Sequence, residues 1–253
     1  MNALRREKLR AFIECNDAVT LAQITELLPD VSGMTIHRDL LFLQQQGYVQ
    51  RIRGGARYIR SATLEPAFTA REIVNIAQKQ AVAQKAVALL GDTASLFVDA
   101  GTTMMAFARL LPDKALHIVT TGPNIALSLS AKQNTLIELC GGTLNKANLT
   151  LSGGAALETI RHYNIDTAFL VASGYTAESG FTCGCEPEAQ IKALVIQKAR
   201  RSIMLIDTTK FGRLLPYTFA QLPELDTLVT ELPPPELPAG LREEARSAGV
   251  TLV

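Results

Sequence analysis

Apolar residues recur along the first 60 positions at intervals of three and four. Leu4, Leu9, Phe12 and Ile13 share one face of a helix expected over residues 5–13, which Asn16-Asp17 breaks. Thr20-Leu-Ala-Gln23 has the hydroxyl-then-Gln spacing of a capping box and opens a second helix, with Leu21, Ile24, Leu27 and Leu28 apolar. Pro29-Asp30 makes a turn. Ser32 then stands where a hydroxyl caps a third helix, whose Ile36, Leu40 and Leu43 form an apolar stripe flanked by Leu41. Gly47 closes it in the position that favours a left-handed residue. The period then shortens: residues 48–53 read as a strand, Gly54-Gly55 as a turn and residues 56–59 as the returning strand. Residues 61–69, with Pro66, read as a linker, and residues 73–90 as one or two helices. Beyond Gly91-Asp92 short unbroken apolar runs alternate with helical segments. The runs cover 94–98, 116–120, 135–139, 168–172, 202–206, 225–229 and 250–253, and the helices 104–111, 125–131 and 189–200. Strands that are apolar throughout, alternating with helices, predict an α/β domain whose sheet is covered on both faces. Pro233-Pro-Pro235 reads as a stiff connector.

Three short helices with a tight turn between the last two, followed by a hairpin, form a winged helix-turn-helix arrangement. Its third helix presents Ser32, Met34, Thr35, His37 and Arg38 at its N-terminal end, suited to base edges in a major groove. Arg51, Arg53 and Arg57 on the hairpin suit phosphates. Charge distribution agrees with this. The whole chain carries only +1, but residues 1–60 hold nine Arg and Lys against six acids, and the remainder is slightly acidic. At 253 residues, 47% hydrophobic and 19% charged, the chain has material for a second packed domain. We therefore expect a DNA-binding domain over 1–60, a linker over 61–72 and an α/β domain over 73–253. Four cysteines are too few and too scattered for a disulfide framework, and Cys183-Gly-Cys185 lacks a second ligand pair, so neither a metal nor another cofactor is expected. Without a signal peptide or an apolar run of about 18 residues, the chain reads as cytoplasmic, with no membrane contact.

Thr35-Ile-His-Arg-Asp-Leu40, Gly47-Tyr-Val49 and Arg53-Gly-Gly-Ala56 resemble the DNA-binding domain of the DeoR/GlpR family of bacterial transcriptional regulators. That resemblance implies double-stranded operator DNA as a partner. His37 stands where the family usually has Arg, which puts the operator sequence in doubt. A histidine titrating near neutrality at this position would make recognition pH-sensitive.

In the second domain the expected strands end in small or polar residues: Asp99-Ala-Gly-Thr-Thr103, Thr120-Thr-Gly-Pro-Asn124, Gly141-Gly142, Ser173-Gly174 and Asp207-Thr-Thr-Lys210. In open α/β sheets the carboxyl ends of the strands form the ligand crevice. Gly101, Thr102 and Thr103 offer backbone N–H groups, two hydroxyls and a helix N-terminus to an anion, and Lys210 adds a charge. Asp99 and Asn124 suit sugar hydroxyls, and Thr121, Gly141, Gly142, Ser173 and Gly174 line the same ends. These positions, with Gly180-Phe181, Glu186-Pro-Glu188 and Asp207-Thr-Thr-Lys-Phe-Gly212, resemble the effector domain of the same family. The resemblance implies a fold similar to ribose-phosphate isomerase and a phosphorylated sugar as effector, with Glu186 and Glu188 at the site. Thr121-Gly-Pro-Asn124 and Ser173-Gly174 depart from the family's usual Thr-Asn-Ser-x-Asn and acid-Gly pairs.

The reading is a regulator, usually a repressor in this family, acting as a homodimer or higher oligomer because symmetric operators match symmetric proteins. The rival is a sugar-phosphate isomerase or deaminase carrying a DNA-binding module. It requires a base beside a substrate C–H, for which only Asp99, Glu186 and Glu188 qualify, with no acid or His partner arranged around them. We therefore expect no enzyme.

Overall fold

The computed structural model describes residues 2–16, 18–59 and 67–253. They fall into two compact units, Met1–Ala70 and Arg71–Val253. Met1, Asp17, Arg60 and residues 61–66, the first half of the expected linker, lie outside the described residues. From Phe68 onward the segment read as linker is helical.

The first unit runs α1 (Asn2–Asn16), β1 (Ala18–Thr20), α2 (Leu21–Leu27), α3 (Gly33–Gln45), β2 (Val49–Ile52) and β3 (Gly55–Tyr58). Local chemistry sets its helix ends. Thr20 Oγ1 accepts from the Gln23 N–H at 3.3 Å while Gln23 Oε1 accepts from the Thr20 N–H at 2.8 Å, a reciprocal cap on α2. Ser32 Oγ accepts from the Thr35 N–H at 3.4 Å at the start of α3, and Gly47 follows its end at φ 75°. Leu9, Ile13, Ile24, Ile36, Leu40, Leu43 and Val49 are buried together. β1 was not expected. It pairs antiparallel with β3 and makes the hairpin a three-stranded sheet. A Cβ on Gly55 would lie 2.0 Å from the Val19 carbonyl oxygen, so this glycine is what lets β1 close on β3.

Asp39 holds α3 to α1. It is 1% exposed and accepts from Arg5 Nε at 2.6 Å and Arg6 Nε at 2.7 Å. The Arg6 guanidinium also lies 4.0 Å from the Phe42 ring centroid, and that of Arg10 4.9 Å from the Tyr48 centroid. Three of the basic residues counted as an electrostatic footprint are thus spent inside the unit. Burial alone would raise the Asp39 carboxyl, but the Arg5 and Arg6 hydrogen bonds outweigh it and hold the carboxyl below the usual range. Asp39→Asn is expected to cost about 2 kcal/mol at neutral pH. A folded-state value below the unfolded one stabilises above the ordinary carboxylate range and is lost as pH falls through the folded value. The melting-temperature gap between variant and wild type should therefore stay constant above roughly pH 5 and shrink below roughly pH 4. A pH-independent gap would mean that the side chain's shape, not its charge, matters.

The chain continues through α4 (Phe68–Glu72), α5 (Ile76–Ala88), β4 (Ser95–Val98), α6 (Thr102–Leu110), β5 (Leu116–Thr120), α7 (Pro123–Leu129), β6 (Thr135–Leu139), β7 (Thr143–Asn145), β8 (Thr150–Ser152) and α8 (Gly154–His162). It ends with β9 (Thr167–Val171), β10 (Gly174–Thr176), β11 (Gly180–Cys183), α9 (Glu186–Lys198), β12 (Arg201–Leu205), β13 (Tyr217–Ala220), β14 (Thr227–Val229), α10 (Ala239–Ala248) and β15 (Thr251–Leu252). Seven strands form one sheet in the order β15-β14-β12-β9-β4-β5-β6, and every pairing in it is parallel. From β4 the chain winds outward through β5 to β6, and from β9 it winds the other way. β4 and β9 are therefore the topological switch point, where doubly wound sheets open a crevice. Leu96 and Val98 face one buried layer with Phe107 and Phe169, and Phe97 faces the other with Leu170 and Met204. Both faces are covered, as expected, except at the edge strand β6, whose Leu136 and Leu139 are exposed. β7 and β8 form a hairpin, and β10-β11-β13 a small antiparallel sheet. Among the described residues no helix is long and apolar enough to cross a membrane.

Candidate functional site

On α3 the buried residues Ile36, Asp39, Leu40 and Leu43 line one side. Met34, His37 and Arg38 are exposed on the other. Ser32 and Thr35 are a local pair, their hydroxyl oxygens 3.0 Å apart, so Ser32 serves the helix cap. Arg51, Arg53 and Arg57 are exposed on β2, β3 and the turn between them, and none forms an ion pair among the described residues. Gln44 Oε1 accepts from the Arg51 N–H at 3.1 Å, which ties the end of α3 to this wing. Arg38 makes no hydrogen bond among the described residues, so its removal costs the fold little. Arg38→Ala should weaken operator binding by about 1–3 kcal/mol in fluorescence anisotropy, with an unchanged melting temperature, if it reads a base edge. Unchanged affinity would make it a bystander.

The strand ends of the second unit converge as the topology requires. Asp99-Ala-Gly-Thr-Thr103 follows β4, Thr121–Asn124 follows β5, Gly141-Gly142 follows β6, Ser173-Gly174 follows β9 and Asp207–Lys210 follows β12. At the switch point Gly101 takes φ 131°, open to glycine, and starts α6 without a side-chain cap. Thr102 and Thr103 are each 8% exposed, and their hydroxyls have no hydrogen-bond partner among the described residues. Uncapped N–H groups beside two idle hydroxyls offer the donors that an anion requires. Asn124 adds a buried Oδ1 without a hydrogen-bond partner among the described residues.

Other expected contacts are already committed. Asp99 Oδ1 accepts from the Ala100 N–H at 2.9 Å, and Oδ2 accepts from the Val171 N–H at 3.1 Å and from the Lys192 ammonium. Lys192 also donates to the Val171 carbonyl at 3.0 Å. This lysine, absent from the sequence expectations, is 6% exposed and bridges β4 to β9 at the switch point. Burial works against its charge, but Asp99 beside it and Glu188 nearby more than offset this, so the ammonium holds its proton above the ordinary lysine value. Glu188, also buried, accepts from Asn145 Nδ2 and Asn148 Nδ2, both at 3.2 Å. Glu186 is exposed and accepts from Gln190 one turn along. Gly142 and Gly174 are close-approach positions: a Cβ would meet the Ser152 carbonyl oxygen at 2.4 Å and the Arg213 carbonyl oxygen at 2.3 Å. The buried Thr121 gives its carbonyl to the Leu151 N–H at 2.8 Å. Cys183, its thiol pushed up to about 12 by burial, donates to the Cys185 carbonyl.

The turn between β7 and β8 and the loop after β12 also reach the corner between α4 and α5. Asn148 Oδ1 accepts from Arg71 Nη2 at 3.3 Å, and Thr209 Oγ1 from Asn75 Nδ2 at 3.0 Å. Inside that corner Lys79 donates to the carbonyls of Arg71 and Val74. Burial, opposed by Asp207 and reinforced by Arg71, lowers its ammonium to about 8.

Residues 5–62 match the DeoR-like helix-turn-helix domain, and residues 74–232 the DeoR C terminal sensor domain. Over 252 residues the chain is 34% identical to the HTH-type transcriptional regulator GlpR of Haloferax volcanii, covering 99% of this chain and 97% of that one. It is 32% identical to the HTH-type transcriptional repressor GlcR of Bacillus subtilis over 220 residues, 87% of this chain and 84% of that one. Ribose 5-phosphate isomerase A from Methanocaldococcus jannaschii aligns at 17% identity and a TM-score of 0.41 over 55% of this chain and 56% of that one, too distant to bear on the chemistry.

Proposed function

The chain belongs to the DeoR family of transcriptional regulators, and from that premise we propose that it represses a carbohydrate operon and releases its operator when a phosphorylated sugar fills the crevice. The observation that carries the effector half is the uncapped start of α6 with its two idle threonine hydroxyls at the switch point. A phosphate there accepts from the backbone and from both hydroxyls, with Lys210 as an approaching cation. Asn124, with its Oδ1 unsatisfied, faces the sugar. Repression is the role in the name of the similar protein GlcR. α3 enters the major groove and the Arg51, Arg53 and Arg57 side chains neutralise phosphates. A symmetric operator calls for at least a homodimer.

The ties from Asn148 and Thr209 to the α4–α5 corner offer a route for release, since the chain passes from one unit to the other along α4. A ligand that shifts these loops with a differential affinity of about 1–3 kcal/mol would change operator occupancy from about fivefold to about a hundredfold. The same commitments weigh against catalysis. A general base must be free to take a proton, yet Asp99 is ion-paired to Lys192, Glu188 is held by two asparagines, and Glu186 faces solvent.

The test is an anisotropy titration of the full chain on the DNA upstream of its neighbouring operon, with and without a panel of pentose and hexose phosphates. We expect nanomolar to micromolar binding that one sugar phosphate weakens. No DNA retention at low salt, together with turnover of a sugar phosphate, would overturn the regulator reading. Retention without any response would overturn the effector assignment alone.

A further inference from the structure

Over its first two turns the outermost line of α3 is apolar. Met34 is 69% exposed and Leu41 42% exposed, in a helix whose Ile36, Leu40 and Leu43 are already buried in the core. Residues seven apart are two turns apart and fall within about 20° of one line along a helix. That line lies opposite the core stripe, where an amphipathic helix normally carries its most polar residues. Its neighbours follow the usual rule: His37 and Arg38, on either side, are exposed and polar. Leu41 falls three residues after Arg38 and four after His37, so the four side chains form one patch of two donors between two apolar ends.

The two donor side chains argue against a second protein as the occupant, because a major groove satisfies donors and apolar groups together. Base edges there offer acceptors to Arg and His, and one apolar group, the C5 methyl of thymine. We propose that Met34 and Leu41 read thymine methyl groups, so that each half-site carries thymines flanking the base pair addressed by Arg38. The inference rests on α3 being the reading helix and adds what it reads. It makes Leu41, which the sequence pattern placed beside the core stripe, a specificity-determining residue.

The test uses DNA selected from a random library by the full chain. Each thymine of the selected site is replaced singly by deoxyuridine, which removes one methyl and leaves every hydrogen-bonding group in place. Removing a methyl buried against Met34 or Leu41 should weaken wild-type binding about fourfold at those positions and leave the others unchanged. Met34→Ala and Leu41→Ala, both at exposed positions, should each lose the discrimination at its own thymine and keep the wild-type salt dependence, which reports phosphates. Uracil tolerated at every position, or full discrimination kept by both variants, would overturn the proposal. So would variants that alter the oligomeric state and leave discrimination intact, since the patch would then be an interface between copies. Selection of no DNA at all would instead remove α3 as the reading helix, and the inference with it.

Discussion

Lys192→Met is expected to destabilise the second unit by about 3–5 kcal/mol. Lys192 and Asp99 are 6% and 3% exposed, so deleting the cation leaves a buried anion with, among the described residues, the Ala100 and Val171 N–H groups alone. Two strands lose their tie as well, because Lys192 reaches both the residue after β4 and the last carbonyl of β9. Urea unfolding of the full chain should show the loss in the transition of the larger unit, with that of the smaller one unmoved. Adding Asp99→Asn to Lys192→Met removes the stranded charge but leaves one of the Ala100 and Val171 N–H groups without an acceptor, and should recover part of the loss, about 1 kcal/mol. A single variant within 1 kcal/mol of wild type, or a double variant as unstable as the two losses combined, would mean that the pair does not hold the switch point together.

That pair also marks how far the sequence could be read. Each of the seven strands of the parallel sheet overlaps one of the seven apolar runs, and for the inner strands the reason is that burial on both faces leaves an unbroken hydrophobic signal. The cap at Thr20 and Gln23, the cap at Ser32 and the glycine after α3 were legible too, since their chemistry is confined to neighbouring residues. β1, β7 and β8 were not, with three residues each and too little alternation to stand out. α10 buries only Leu241 and Ala245 among charged residues, which leaves a faint apolar stripe. The strand-end glycines and threonines pointed to the carboxyl ends of the sheet as the candidate site. They did not announce which polar groups were free. A lysine in the middle of a helix reads as a solvated charge unless its partner is known, and Asp99 lies 93 residues away. Asp39 was hidden in the same way: it sits inside a motif assigned to DNA recognition, while its partners Arg5 and Arg6 were counted as part of a phosphate-binding surface.

Knowing which groups are committed sharpens what the effector must use. Replacing Thr102 and Thr103 together by Val is expected to weaken effector binding by a hundredfold or more while operator affinity stays at the wild-type value. Hydrogen bonds to a charged group are worth about 1.5–3 kcal/mol each, so losing two removes about 3–6 kcal/mol. Valine keeps the branched shape of threonine, which limits the disturbance at positions that are each 8% exposed. The backbone N–H groups at the start of α6 survive the change, so residual binding should persist and should still require the phosphate. Two titrations check this: the sugar phosphate that releases wild type, followed by calorimetry, and its effect on the operator complex, followed by anisotropy. The dephosphorylated sugar serves as the control. A variant that responds at wild-type concentrations would move the anion away from α6. One that binds normally yet no longer releases DNA would make the two threonines part of the coupling, with Asn148 and Thr209 the next residues to replace.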